Sequence, residues 1–152
     1  MINIILDTNI LHQEGLSSKN MQVLSRLSRL KKISITIPEL VTREFVSKKI
    51  QTSKENITHA RSKLEPLKKN IGQDHELAND ISQLELKLKE LHQNIEEPIN
   101  QNLENWVKAN NIYVPIFKSE DIQSVMESYF NGGGGFRTAK AREDIPDAMI
   151  AK

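Results

Sequence analysis

The chain contains no cysteine. That excludes a disulfide framework, thiol chemistry and a zinc–thiolate centre. It also has almost no net charge: 21 basic residues face 20 acidic ones, leaving +1 with histidine neutral. Bulk charge therefore does not mark a nucleic-acid binder, although carboxylates gathered round a metal beside a basic rim also sum to near zero. No apolar run approaches the length of a membrane span. The first residues lack a basic stretch and their apolar run is broken by Asp7, so they do not read as a signal peptide. A cytoplasmic protein with no membrane contact is the expectation. At 152 residues, 38% hydrophobic and 27% charged, the chain is long enough for one domain with a core.

What is present alternates. Residues 2–6, apolar apart from Asn3, read as a short buried strand. Met21, Leu24, Leu27 and Leu30 are spaced for one helical face, which predicts a helix capped by Asn20 and running to Lys32. "ISITI" at 33–37 reads as a second strand, and Pro38 opens a helix in its favoured first-turn position. "NIYVPI" at 111–116 predicts a third strand ended by Pro115. Ser119 predicts the N-cap of a helix to about Phe130, with Glu120 and Asp121 set against the helix dipole. Strands alternating with helices argue for an α/β fold with a parallel sheet.

The segment from about 52 to 110 stands outside that order. It is polar and helical in pattern. Thr52 and Glu55 have the spacing of a capping box. Ile57, Ala60, Leu64, Leu67 and Ile71 form one apolar seam. Leu77, Ile81, Leu84, Leu88, Leu91 and Ile95 form a second, at heptad spacing. With a turn at Gly72 and Asp74, the expectation is an inserted antiparallel helical hairpin. Each arm of about 20 residues would reach roughly 30 Å. Pro66 and Pro98 conflict with it locally and predict kinks or helix ends. The expectation is that the hairpin serves as a structural or dimerising insertion, with a dedicated substrate arm as the alternative. Near the C-terminus, Gly132 to Gly135 precede Arg137, Lys140 and Arg142. No Lys-Ser or Lys-Thr pair follows the glycines, so they are not a Walker phosphate loop.

Four carboxylates need an account. Asp7 ends the first strand, at the edge where open α/β sheets bind ligands. It closes an Asx-turn or caps a helix, or else it is a ligand that Thr8 and Asn9 orient through hydrogen bonds. Glu44 lies on or beside the apolar face made by Leu40, Val41 and Phe45, where a charge breaks the pattern. Asp144 and Asp147 have the spacing of a helix cap and its partner as well as that of a ligand pair. If the four converge, they make an oxygen-rich site for Mg²⁺ or Mn²⁺, because clustered carboxylates repel one another without a cation.

"IILDTNIL", "IPELVTREF" and "KAREDIPDAMIAK", in that order, resemble the PIN-domain nucleases. The resemblance covers most of the α/β portion and skips 52–110. It is similar to the PIN-like group with a long helical insertion and a Gly-rich stretch before "REDIPDA". What it implies is a three-layer fold with a central parallel sheet over residues 1–152 and phosphodiester hydrolysis, most often of RNA. Asp7 would be the first metal ligand, Glu44 the second acid, Asp147 the third, with Asp144 auxiliary and Asn9 supporting Asp7. Arg137, Lys140, Arg142, Lys48 and Lys49 would meet phosphates. PIN domains usually continue past the last of these motifs into another strand and a fourth acid. The expectation is that the C-terminal strands lie beyond Lys152. Homodimerisation, through the face those strands would leave open or through the hairpin, is the accompanying expectation. A catalytically incomplete PIN-like scaffold that binds a partner is the alternative. An aspartyl-nucleophile phosphatase fits less well, since its second Asp is replaced by Asn9. His12 reads as a packing or surface residue.

Overall fold

The computed structural model describes residues 2–72, 76–116 and 118–131. Strand β1 (Ile2–Ile5) leads into helix α1 (Thr8–Glu14) and helix α2 (Lys19–Arg29). Strand β2 (Ile33–Thr36) follows, then α3 (Glu39–Ile71), α4 (Glu76–Asn94), α5 (Glu96–Ala109) and α6 (Ser119–Asn131). Two compact units result. One combines the chain up to Phe45 with the chain from Asn105, and the other is Val46–Glu104.

In the first unit β1 and β2 pair in parallel, Ile2 opposite Ile33 and Ile5 opposite Thr36. The crossover between them is helical, as parallel pairing demands. Leu6 N–H extends the ladder to the Thr36 carbonyl at 3.0 Å. The expected strand over 111–116 contracts to a single bridge between Thr36 and Tyr113. Tyr113 N–H donates to Ile35, and its carbonyl accepts from Ile37. Pro115 then has no N–H to offer, and its carbonyl is taken by Glu39 N–H at 3.3 Å instead.

The core is set by alternation along β2. Ile33, Ile35 and Ile37 are buried, with Leu6, Leu11, Met21, Val41, Phe45, Ile112, Val125 and Tyr129 around them. Full burial of each large aliphatic side chain contributes about 1.5–3 kcal/mol. The expectation of a buried first strand fails: Ile2 is 68% and Ile5 60% exposed, and burial begins at Leu6. Among the described residues β1 has β2 as its only strand neighbour.

Two further boundaries move. The N-cap of α2 is Ser18, whose hydroxyl accepts Met21 N–H at 3.1 Å. Asn20 was expected there, but its amide donates to Glu14 Oε1 at 3.0 Å. That bond, with Ser18 beside it, holds the Glu14 carboxyl below its usual value. The helix stops at Arg29 rather than Lys32, with Lys31 at a φ of 56°. Ser119, expected as a cap, is the first helical residue of α6, and the Asp121 carboxylate accepts Lys118 N–H at 3.2 Å.

In the second unit α3 does not restart at Thr52. No glycine or proline interrupts it between Glu39 and Glu65, and Gln51 donates to Glu55 one turn on at 2.9 Å. Pro66 lies inside α3 instead of ending it. Ser62, whose carbonyl loses its donor to Pro66, is exposed, as is Pro66 itself. Pro98 falls in the first turn of α5, after α4 has ended at Asn94, the residue its ring would clash with. Ile57, Ala78, Ile81 and Leu103 are buried. The predicted seam of α4 is half right. Ile81 faces inward, but Leu77, Leu84 and Leu91 are 51%, 46% and 44% exposed, and Ala78 takes the inner place beside Leu77. Successive helical residues are turned about 100° from each other, so that shift moves a whole row outward. Lys54 of α3 reaches Glu96 of α5 at 3.0 Å.

Candidate active site

Asp7 caps α1. Its backbone is extended, at φ −91° and ψ 159°, and its Oδ1 accepts Thr8 N–H at 2.6 Å. Both roles offered for it by the sequence are compatible with this position, since a cap uses one carboxylate oxygen. The Asp7 carbonyl accepts Leu11 N–H at 3.2 Å, which starts the helix.

Glu44 comes to this point from the second strand–helix pair. In α3, Val41 and Phe45 are buried at 0% and 3% exposure, and this fixes which side of the helix faces inward. Glu44 lies next to Phe45 and is half-buried. In α1, Leu11 is fully buried and the His12 ring stacks on Phe45 with centroids 5.1 Å apart. One turn before His12 stands Thr8, and Thr8 Oγ1 donates to Glu44 Oε2 at 2.6 Å. Packing of α1 on α3 therefore ties Glu44 to the residue following Asp7. His12 has the packing role expected of it.

Arg43 is not the counter-ion of Glu44. Its Nε and Nη2 reach Glu39 Oε1 at 3.0 and 2.6 Å, across one helical turn. Neither Asp7 nor Glu44 has an ion-pair partner among the described residues. Asn9 is exposed and its side chain makes no hydrogen bond among them, so Thr8 is the residue that orders this site. Lys48 and Lys49 follow on α3, in the Val46–Glu104 unit. Asp144, Asp147, Arg137, Lys140 and Arg142 lie outside the described residues.

The donor set can be tested against a cation. Among the described residues no group of three or more acidic, histidine or cysteine side chains could hold a metal ion. Two half-buried carboxylates without a cationic partner remain. These hard oxygens fit Mg²⁺ or Mn²⁺, and Mg²⁺ takes one or two protein carboxylates and leaves its other positions to water and phosphate. Among the described residues no helix is long and apolar enough to cross a membrane.

The chain is thus helix-rich with a small parallel sheet, and it brings an acid at the end of β1, Asp7, near one on the helix after β2, Glu44. The family model of the PIN domain matches residues 4–152. The chain belongs to the PIN domain family, as its three motifs suggested, and PIN domains are typically nucleases that use divalent metals. No curated protein and no solved structure matches it.

Proposed function

We propose that the chain is a Mg²⁺- or Mn²⁺-dependent nuclease that hydrolyses phosphodiester bonds in RNA. The observation that carries this reading is the 2.6 Å bond from Thr8 to Glu44, which joins two acids that stand far apart in the sequence. Thr8 spends its N–H on Asp7 Oδ1 and its hydroxyl on Glu44 Oε2. Asp7 Oδ2 and Glu44 Oε1 are left as the oxygens that hold the cation. Asp147 supplies a third acid, with Asp144 auxiliary to it. Arg137, Lys140 and Arg142 meet the substrate phosphates. When bound, the cation neutralises charge on the phosphoryl oxygens and makes an attacking water more acidic. No nucleophilic side chain is required.

The test is Mn²⁺ binding by calorimetry to the chain and to Asp7→Asn, followed by RNA cleavage with the same pair. Asn caps a helix about as well as Asp, so the variant keeps the fold. Binding and cleavage that vanish in the variant are expected. Binding that persists unchanged would remove Asp7 from the site.

A second reading is favoured by a separate observation, the exposed row of Leu77, Leu84 and Leu91. In it the chain is a catalytically incomplete scaffold that binds a partner or a second copy through its long helices. A monomer in light scattering would remove the second-copy form.

A further inference from the structure

A groove of about 720 Å³ opens in the first unit between α2 and the end of α5. Lys19, Gln22, Arg26 and Arg29 line one wall, at spacings of three, four and three residues. That spacing keeps them on one helical face, spread over about 15 Å. Trp106 and Asn110 line the groove from α5 and the residue after it, and Leu16 and Ser17 from the chain before α2. No lining residue is acidic, and the side chains of Lys19, Arg26 and Arg29 make no ion pair among the described residues. Three cations thus sit together in a chain whose total charge is near zero.

Two features show that the groove is built rather than incidental. The Asn110 carbonyl accepts the Ser28 hydroxyl at 2.9 Å, and the Asn110 amide donates to the Trp106 carbonyl at 2.7 Å. The first bond ties the end of α5 to α2, and the second closes the last turn of α5. Ser25, 6% exposed, also lines the groove, and its hydroxyl has no hydrogen-bond partner among the described residues. Such an orphan is costly unless something satisfies it.

We infer that this groove binds a single-stranded nucleic-acid segment. Phosphates lie along Lys19, Arg26 and Arg29, and a base stacks on Trp106, the combination of basic track and aromatic platform that single strands use. Leu16 lines the groove and follows α1 by two residues, and the seven residues of α1 span about 10 Å from the Asp7 cap. A strand of a few nucleotides therefore reaches from the groove to the acids. The inference rests on the reading that the chain acts on nucleic acid, and it adds a binding site apart from the carboxylates.

Trp106 is the only tryptophan, so its fluorescence reports this groove alone. The experiment titrates an oligouridylate of about ten nucleotides into the full chain, with EDTA present. Saturable quenching is expected. In the pair Arg26→Gln, Arg29→Gln, affinity should fall about tenfold, and the slope of log K against log salt should drop by about 1.4, two phosphates' worth. Unchanged affinity in that pair, or no quenching at all, overturns the proposal. Equal quenching by polyglutamate of the same charge also overturns it and assigns the groove to acidic proteins; equal binding of a duplex removes the single strand. Because the assay is free of metal, it stands if Mn²⁺ binding fails.

Discussion

Thr8 is where the site can be probed most directly, because it contributes no carboxylate and yet touches both acids. Thr8→Val keeps the shape and the backbone donor to Asp7 but leaves Glu44 Oε2 without its hydroxyl. The hydrogen bond is only partly buried, so its loss should destabilise the fold by about 1 kcal/mol, near the lower end for bonds to charged groups. Groups that orient a metal ligand matter more for binding, and Mn²⁺ affinity should weaken about tenfold. Thr8→Ser should restore both quantities. Calorimetry and urea unfolding on the three chains decide the matter, and an affinity unaffected by Thr8→Val would reduce the hydroxyl to a fold contact. At this scale Asp7 and Glu44 were legible in the sequence because each broke a pattern, a charge at a strand end and a charge beside an apolar face. That the hydroxyl of Thr8 joins them was not legible, because it depends on how α1 packs on α3 through His12 and Phe45.

Single elements show where local sequence rules yield to context. Ser18 displaced Asn20 as a cap because Asn20 found Glu14, a choice between two good capping residues that spacing alone does not make. The third strand was legible as extended chain, but its pairing stops where Pro115 removes a donor. In α3 the polar stretch around Thr52 resembles a helix start yet lies in mid-helix, because nothing before it ends the helix. Pro66 is the clearest exception. A proline in a helix interior costs about 3 kcal/mol relative to alanine, and α3 continues through it. Pro66→Ala should therefore stabilise the Val46–Glu104 unit by about 1–3 kcal/mol, the lower figure applying if proline's restriction of the unfolded chain offsets part of the gain. Far-UV circular dichroism against urea measures it. A midpoint that fails to rise would mean that the helix relies on a bend at Pro66.

At the scale of the molecule, a mixed strand–helix pattern announced an α/β chain with a polar helical segment set apart, but not how unevenly the two units are built. In the first unit the isoleucines of β2 are buried, as are Leu6, Leu11, Met21, Val41 and Phe45. In the second, the described buried apolar residues are Ile57, Ala78, Ile81 and Leu103, while leucines along α4 face water. Long helices with so little buried surface draw stability mainly from local hydrogen bonds, and marginal helices melt readily. The protein should therefore not unfold in one step. Most helical signal comes from α3, α4 and α5, whereas Trp106 belongs to the first unit. On heating, far-UV dichroism should fall before the Trp106 fluorescence shifts, since non-coincident probes are the mark of a transition with more than two states. Addition of Mn²⁺ should move the fluorescence transition upward and leave the earlier loss of helix where it was, because a ligand stabilises only the unit whose fold it needs. Coincident curves would mean that the second unit is held by the first, and the long helices would then count as part of one cooperative domain.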